Sequence, residues 1–326
     1  LFTTVHAQVL MNRDSLLKLL PQVKENKEAV ELYIHLGQQY ESNEPAIAKF
    51  YYRKAGDLSK KINYSEGEIR SIFNYTYVLN LEGKFDSSLQ LNLLSVELAK
   101  KTADPELIGK ALFNTGTSYR ILSQYQNAAV YYEEGKKIFA GIKNESMEAK
   151  ANDILQILYY DLKDYERAVF YGEKAVQYFR KTTDSVWLGN SLNNLGLSYS
   201  KQLKYDKAKS SFEKVVEIGS RINNLDMHAS ALLNLADLSY KKGDYEKLKT
   251  AYEQVLAVAK ELNSKEIQAI SYRGISIYYF FKKDFEVAKT WALKALDIAK
   301  EGQVLTEQAK IFEELSRIYY ARQDVV

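Results

Sequence analysis

Between Leu192 and Phe212 apolar and polar positions alternate with the period of an α-helix. Leu192, Leu195, Gly196 and Tyr199 fall at i, i+3, i+4 and i+7, one face of a helix. After a polar turn at residues 201–204, Tyr205, Ala208 and Phe212 form the same kind of face on a second helix. The small Gly196 and Ala208 let the two backbones approach, while Tyr199, Tyr205 and Phe212 fill the space around the contact. The pattern predicts an antiparallel helix hairpin with one apolar side left over, a unit that must stack on copies of itself to bury it.

The copies are present at a period of 40 residues. The Ala208 position recurs as Ala48, Ser88, Ala128, Ala168, Leu248 and Ala288, and the Tyr199 position as Leu79, Tyr119, Tyr159, Ser239, Tyr279 and Tyr319. The register is unbroken from Leu79 to Tyr319; the first unit, with Leu36, Gly37 and Tyr40, has a turn one residue shorter. The motif L-G-x-x-Y, with Ala nine residues later and an aromatic four after that, resembles the tetratricopeptide repeat. The resemblance covers roughly Ala29 to Ala321, although Gln156 and Gly172 depart from the small and aromatic residues expected at their positions. That family's usual period is ~34 residues, so the six extra residues add about 9 Å of helix to each hairpin. The expected fold is an all-α, right-handed α-solenoid of such hairpins. A capping helix and connector is expected over residues 9–28, seven repeats over 29–305, and the first helix of an eighth over 306–326.

The chain has 326 residues and only three prolines, Pro21, Pro45 and Pro105, none inside a predicted helix core. Its 45 basic and 42 acidic residues nearly balance, which speaks against a nucleic-acid surface. Lys60, Lys100, Arg180, Lys260 and Lys300 mark the ends of the second helices, where cations complement the helix dipole. Twenty-six tyrosines could suggest base stacking, but most recur at repeat positions and are expected to be packing residues.

Residues 1–8, LFTTVHAQ, end an apolar run on Val5-His6-Ala7, which reads as the remnant of a signal peptide cleaved before Gln8. Asp14–Leu20 predicts a short amphipathic helix, N-capped by Asp14, that covers the open end of the first repeat. At the other end, Ile311, Phe312, Leu315, Ile318 and Tyr319 line a helix whose partner would begin near Val325, so a continuation of the chain is expected. No run of 18 apolar residues occurs within the sequence, so no span of a membrane is expected inside it, and a transmembrane helix is an expectation only for a continuation.

Chemistry is sparse. His6, His35 and His228 lack metal-ligand spacing, there is no cysteine, and no phosphate loop or nucleophile elbow occurs. Neither enzyme activity nor a metal or cofactor is expected. A polar row is the exception: Asn74, Asn114, Asn194 and Asn234 share one position on the first helices, and asparagine is a poor mid-helix residue. Arg70 and Lys110 lie four residues earlier on the same face, and Lys150 continues that row. An amide can both donate to and accept from an extended peptide. The family resemblance implies that Arg70, Asn74, Lys110, Asn114, Lys150, Asn194 and Asn234 line a concave groove that clamps a peptide backbone. Ile154, Gly274 and Glu314 interrupt the row.

The expected function is therefore binding of a peptide or protein segment. With its signal-like start, the chain resembles the periplasmic tetratricopeptide region of bacterial sensor histidine kinases and transcriptional regulators. Two alternatives remain open: a cytoplasmic peptide-responsive regulator, and a scaffold that docks partners on the opposite, convex face.

Overall fold

The structure, a computed structural model, describes residues 13–322. The signal-like segment 1–8 and the expected helix start near Val325 lie outside the described residues. Among the described residues there are sixteen α-helices and no strand. They divide into two compact units, Leu1–Lys163 and Asp164–Val326.

The first unit contains α1 (Arg13–Leu19), a 3-10 turn (Leu20–Gln22), α2 (Lys27–Tyr40), α3 (Pro45–Lys61), α4 (Ser65–Leu81), α5 (Phe85–Thr102), α6 (Pro105–Ile121), α7 (Tyr125–Gly141) and α8 (Glu145–Asp161). The second contains α9 (Tyr165–Phe179), α10 (Ser185–Lys201), α11 (Tyr205–Arg221), α12 (Leu225–Lys241), α13 (Tyr245–Glu261), α14 (Lys265–Phe281), α15 (Phe285–Glu301) and α16 (Leu305–Ala321). Within each unit consecutive helices pack antiparallel. Alternate helices also touch: α2 on α4, α4 on α6, α10 on α12 and α14 on α16. The even-numbered helices from α2 onward are called A helices below, and the odd-numbered ones from α3 onward B helices.

The backbone keeps a shorter metric than the side chains. From α3 onward a helix begins every twenty residues, and most of these helices are 17 residues long. Every twentieth residue from Asn63 to Gln303, except Thr183, has positive φ. These residues terminate helices in the left-handed conformation that reverses the chain. At α3, for example, Tyr64 N–H donates to Ser59 C=O at 2.8 Å and Asn63 N–H to Lys60 C=O at 3.2 Å, the two bonds of a Schellman ending. The next residue caps the following helix in six cases, as when Asp104 Oδ1 accepts from the N–H groups of Glu106 and Leu107, and Asp184 caps α10 after Thr183. The shorter first turn has no residue with positive φ.

Packing follows the small-against-large scheme of the sequence. A Cβ on Gly116 would come within 2.7 Å of the Tyr132 ring, and Gly37 is filled in the same way by Tyr52. Where the pair is Thr76 and Asn92, hydrogen bonds replace the aromatic contact. Thr76 Oγ1 donates to Asn92 Oδ1 at 3.2 Å, and Asn92 Nδ2 donates to Ser118 Oγ at 2.8 Å. Seven tyrosines, among them Tyr52, Tyr132 and Tyr199, are buried, while Tyr320 is exposed.

At the first unit's start, Leu16 of α1 packs on Leu32 and Leu36 of α2. Asp14 lies in the first turn of α1 and pairs with Arg13 at 3.8 Å; it is not the residue before the helix. At the far end of the second unit, Ile311, Leu315 and Ile318 are buried against α14 and α15, while Leu305, Phe312 and Tyr320 are exposed. The apolar face of α16 is thus covered more fully than the sequence pattern alone implies, because α14 reaches it across α15.

Candidate functional site

The residues singled out from the sequence are all half-buried and mark a polar stripe on the A helices of each unit. In the first unit Arg70 and Asn74 sit one turn apart on α4. Arg70 Nη1 donates to Glu31 Oε1 of α2 at 2.6 Å, and Glu66 lies 4.0 Å away. Asn74 Nδ2 returns to Arg70 C=O at 2.8 Å, and its Oδ1 accepts from Gln38 Nε2 of α2 at 3.3 Å. Both side chains therefore lace α4 to α2. On α6, Lys110 pairs with Glu106 at 2.5 Å, while the half-buried Asn114 makes no side-chain hydrogen bond among the described residues. Lys150 is half-buried on α8.

In the second unit Asn194 is half-buried on α10, and its amide also makes no hydrogen bond among the described residues. Asn234 Nδ2 on α12 donates to Asn193 Oδ1 on α10 at 2.8 Å. One sequence position thus serves two ends. Asn74 and Asn234 are spent on helix-to-helix bonds, whereas Asn114 and Asn194 keep their amides available. The bonded partners, Glu31, Gln38 and Asn193, escaped the sequence reading because each belongs to a helix a whole repeat away.

A second feature of the second unit had only a negative signal in the sequence, as breaks in the asparagine row. At those breaks, α12, α14 and α16 enclose a cleft of about 230 Å³ lined by Asp237, Tyr240, Tyr252, Arg273, Ile277, Lys310, Glu313, Glu314 and Arg317. Gly274 is what lets Tyr252 of α13 reach it, since any Cβ there would overlap the ring. Glu307, 2% exposed, is gripped by Arg273 Nε and lies 3.5 Å from Lys310. Glu314, 3% exposed, accepts from Arg317 Nη1 at 3.1 Å through Oε2. Burial pushes the Glu314 carboxyl above its ordinary range, against the opposing pull of Arg317 and Arg273. The Tyr252 hydroxyl is pushed up to about 12, again chiefly by burial.

Residues 155–220 and 227–301 match the family profile described as tetratricopeptide repeat. Those two stretches are tetratricopeptide repeats. The fold class of the chain is all-α, as in its structural neighbours, and the matched repeats are of the protein-interaction kind. Over 66 residues it is 33% identical to response regulator aspartate phosphatase A of Bacillus subtilis (strain 168), a match over 20% of this chain and 18% of that one. The chain thus matches less than a fifth of the length of that relative.

Solved structures are similar over far more of the chain. A Rap protein complexed with competence and sporulation factor superposes with a TM-score of 0.59 at 13% identity, over 94% of this chain and 91% of that one. The apo form of the quorum sensor NprR from B. thuringiensis gives 0.63 at 17% identity, over 91% and 80%. A signal transduction ATPase from Pyrococcus horikoshii, with a tetratricopeptide repeat sensor, gives 0.65 at 19% identity, over 90% of this chain and 44% of that one. Among the described residues no helix is long and apolar enough to cross a membrane.

Proposed function

We propose that this chain binds an extended peptide or a flexible partner segment on the A-helix stripe of each unit, as the sensing part of a peptide-responsive regulator. The observation that carries the reading is a half-buried amide in each unit, Asn114 in the first and Asn194 in the second, that makes no hydrogen bond among the described residues. A mid-helix asparagine costs helix propensity, and at these two sites no internal bond offsets that cost. Each amide offers one donor pair and one acceptor, the set needed to hold a peptide group. Lys110 and Arg70, half-exposed beside Glu106 and Glu31, add exchangeable charge nearby.

The likeness to a Rap protein in complex with a factor, and to a quorum sensor, supports this regulator reading better than the periplasmic histidine-kinase reading suggested by residues 1–8. Binding rather than chemistry is proposed as this chain's contribution. The relative named as a phosphatase is matched over too little of its length to bring its activity here.

The test is selection of binders from a random peptide library on the full chain, followed by titration of the selected peptides against Lys110→Ala/Asn114→Ala and Asn194→Ala variants. Affinity losses of about tenfold, typical of one or two lost hydrogen bonds, are expected. Unchanged affinity in both variants would remove the stripe as the binding surface.

A further inference from the structure

The cleft between α12, α14 and α16 holds charges of both signs, yet its cations and its carboxylates are not equally engaged. Arg273 and Lys310 both serve Glu307. Arg317 bonds to Glu314 Oε2, and its guanidinium lies over the Phe280 ring, 5.1 Å from the centroid. Each of the three cations lining the cleft thus has a carboxylate on the protein. The acceptors are in excess. Glu314 is 3% exposed, and its Oε1 is buried without a hydrogen-bond partner. Its neighbour Glu313 forms no ion pair among the described residues, and Asp237, held by Lys241 at 2.5 Å, is more than half exposed on the opposite wall. A buried carboxylate oxygen left unpaired is costly unless something donates to it.

We infer that this cleft is a subsite for a cationic group, a primary amine or a guanidinium, whose N–H donates to Glu314 Oε1. Asp237 and Glu313 draw the cation in. Tyr252 and Ile277 provide a wall for its aliphatic stem, since lysine and arginine chains bury their methylenes while keeping the charged end solvated or paired. At about 230 Å³ the cleft has room for one such side chain and no secondary-structure element. The carboxyl's upward displacement by burial agrees with a group that lacks one donor. This inference rests on the proposed peptide reading only for the source of the cation: a lysine or arginine side chain, or a peptide's free N-terminus, arriving along the same A-helix stripe.

The experiment separates the subsite from the stripe. The full chain, labelled with ¹³C at glutamate carboxyls, is titrated with n-butylammonium, with methylguanidinium and with butyrate, the Glu314 signal being identified by its loss in Glu314→Gln. The two cations should move that signal and butyrate should not; Glu313→Gln should retain the response. Next, a library-selected peptide is compared with versions carrying norleucine for lysine, citrulline for arginine, or an acetylated N-terminus. One of these changes should weaken binding about tenfold or more, and Glu314→Gln should abolish that discrimination. Failure of both cations to shift Glu314, an equal response to butyrate, or discrimination that survives Glu314→Gln would each overturn the subsite. Peptide binding without any cation preference would leave the stripe standing and the subsite refuted. A cation response without peptide binding would do the reverse. Far-UV circular dichroism and melting of Glu314→Gln control for folding, and an isosteric neutral side chain at a buried carboxylate is expected to fold.

Discussion

The edge of the Phe212 ring lies 2.5 Å from where a Cβ on Gly196 would stand, so the ring of α11 occupies the space that any larger residue on α10 would need. Gly196→Ala gains up to ~1 kcal/mol of helix propensity, but overpacking costs roughly 1–3 kcal/mol. A net loss is expected, read as a lower denaturant midpoint at unchanged slope. Truncating Phe212 to Leu in the same chain should return part of that loss, since it frees the space. A Gly196→Ala chain as stable as the parent would show that the two helices separate at little cost.

Leu203 turns the chain between α10 and α11 with φ of 59° and is 70% exposed. A leucine in this region has steric strain that glycine lacks, on the order of 1 kcal/mol. Leu203→Gly should raise the melting temperature through a gain of about 0.5–1 kcal/mol, partly offset by the freer unfolded chain. Leu203→Val should lower it, because β-branching makes positive φ harder still.

Glu307 and Arg273 bind each other inside the second unit, with the carboxylate almost wholly buried. Removing only the cation, as in Arg273→Met, leaves Glu307 with Lys310 alone and should cost about 3–5 kcal/mol. Replacing both, as Arg273→Met/Glu307→Leu, should cost far less than the sum of the single changes. A double-mutant cycle that proves additive would mean the pair contributes nothing to stability.

Burial raises the carboxyls of Glu41 and Glu314 above the ordinary 4.5. Between 4.5 and the raised folded value, the folded protein binds more protons than the unfolded chain, so stability falls as pH rises through that window. Glu82, Asp164 and Asp244 act in the opposite sense. Hydrogen bonds from Lys49, Arg167 and Lys247, respectively, hold their carboxyls low, and their contribution is lost as pH falls. Glu314→Gln should flatten the downward slope just above pH 4.5 and leave the acid limb unchanged, as measured by denaturant unfolding across pH.

The hairpins were legible because side-chain size repeats: Gly196 and Phe212 recur as Gly116 and Tyr132 at the same spacing. The twenty-residue turn metric was hidden, since its positions carry Asn63, Gly83, Ser123, Lys143, Leu203 and Gln303, which share a backbone conformation and no side-chain chemistry. The asparagine row was visible, but its division into bonded and available amides was not. Whether Asn74 finds Gln38, or Asn234 finds Asn193, depends on side chains about forty residues away on a neighbouring A helix. The cleft around Glu314 was less legible still. Periodicity rewards positions that agree across repeats, and Gly274 and Glu314 are informative because they disagree.

The twenty-residue recurrence of helix starts also sets rules for cutting and joining the chain. Because the helices from α10 onward have the same length and the same kind of turn, residues 205–244 could be excised from the second unit with Lys204 joined to Tyr245, and each later helix would keep its own class of neighbour. Removing only 205–224 would satisfy the backbone equally well, yet would seat the sequence of α12 where α11 had been, presenting an A-helix surface to partners shaped for a B helix. The polypeptide is therefore indifferent to gain or loss of single helices, and only its side chains require that they come and go in pairs.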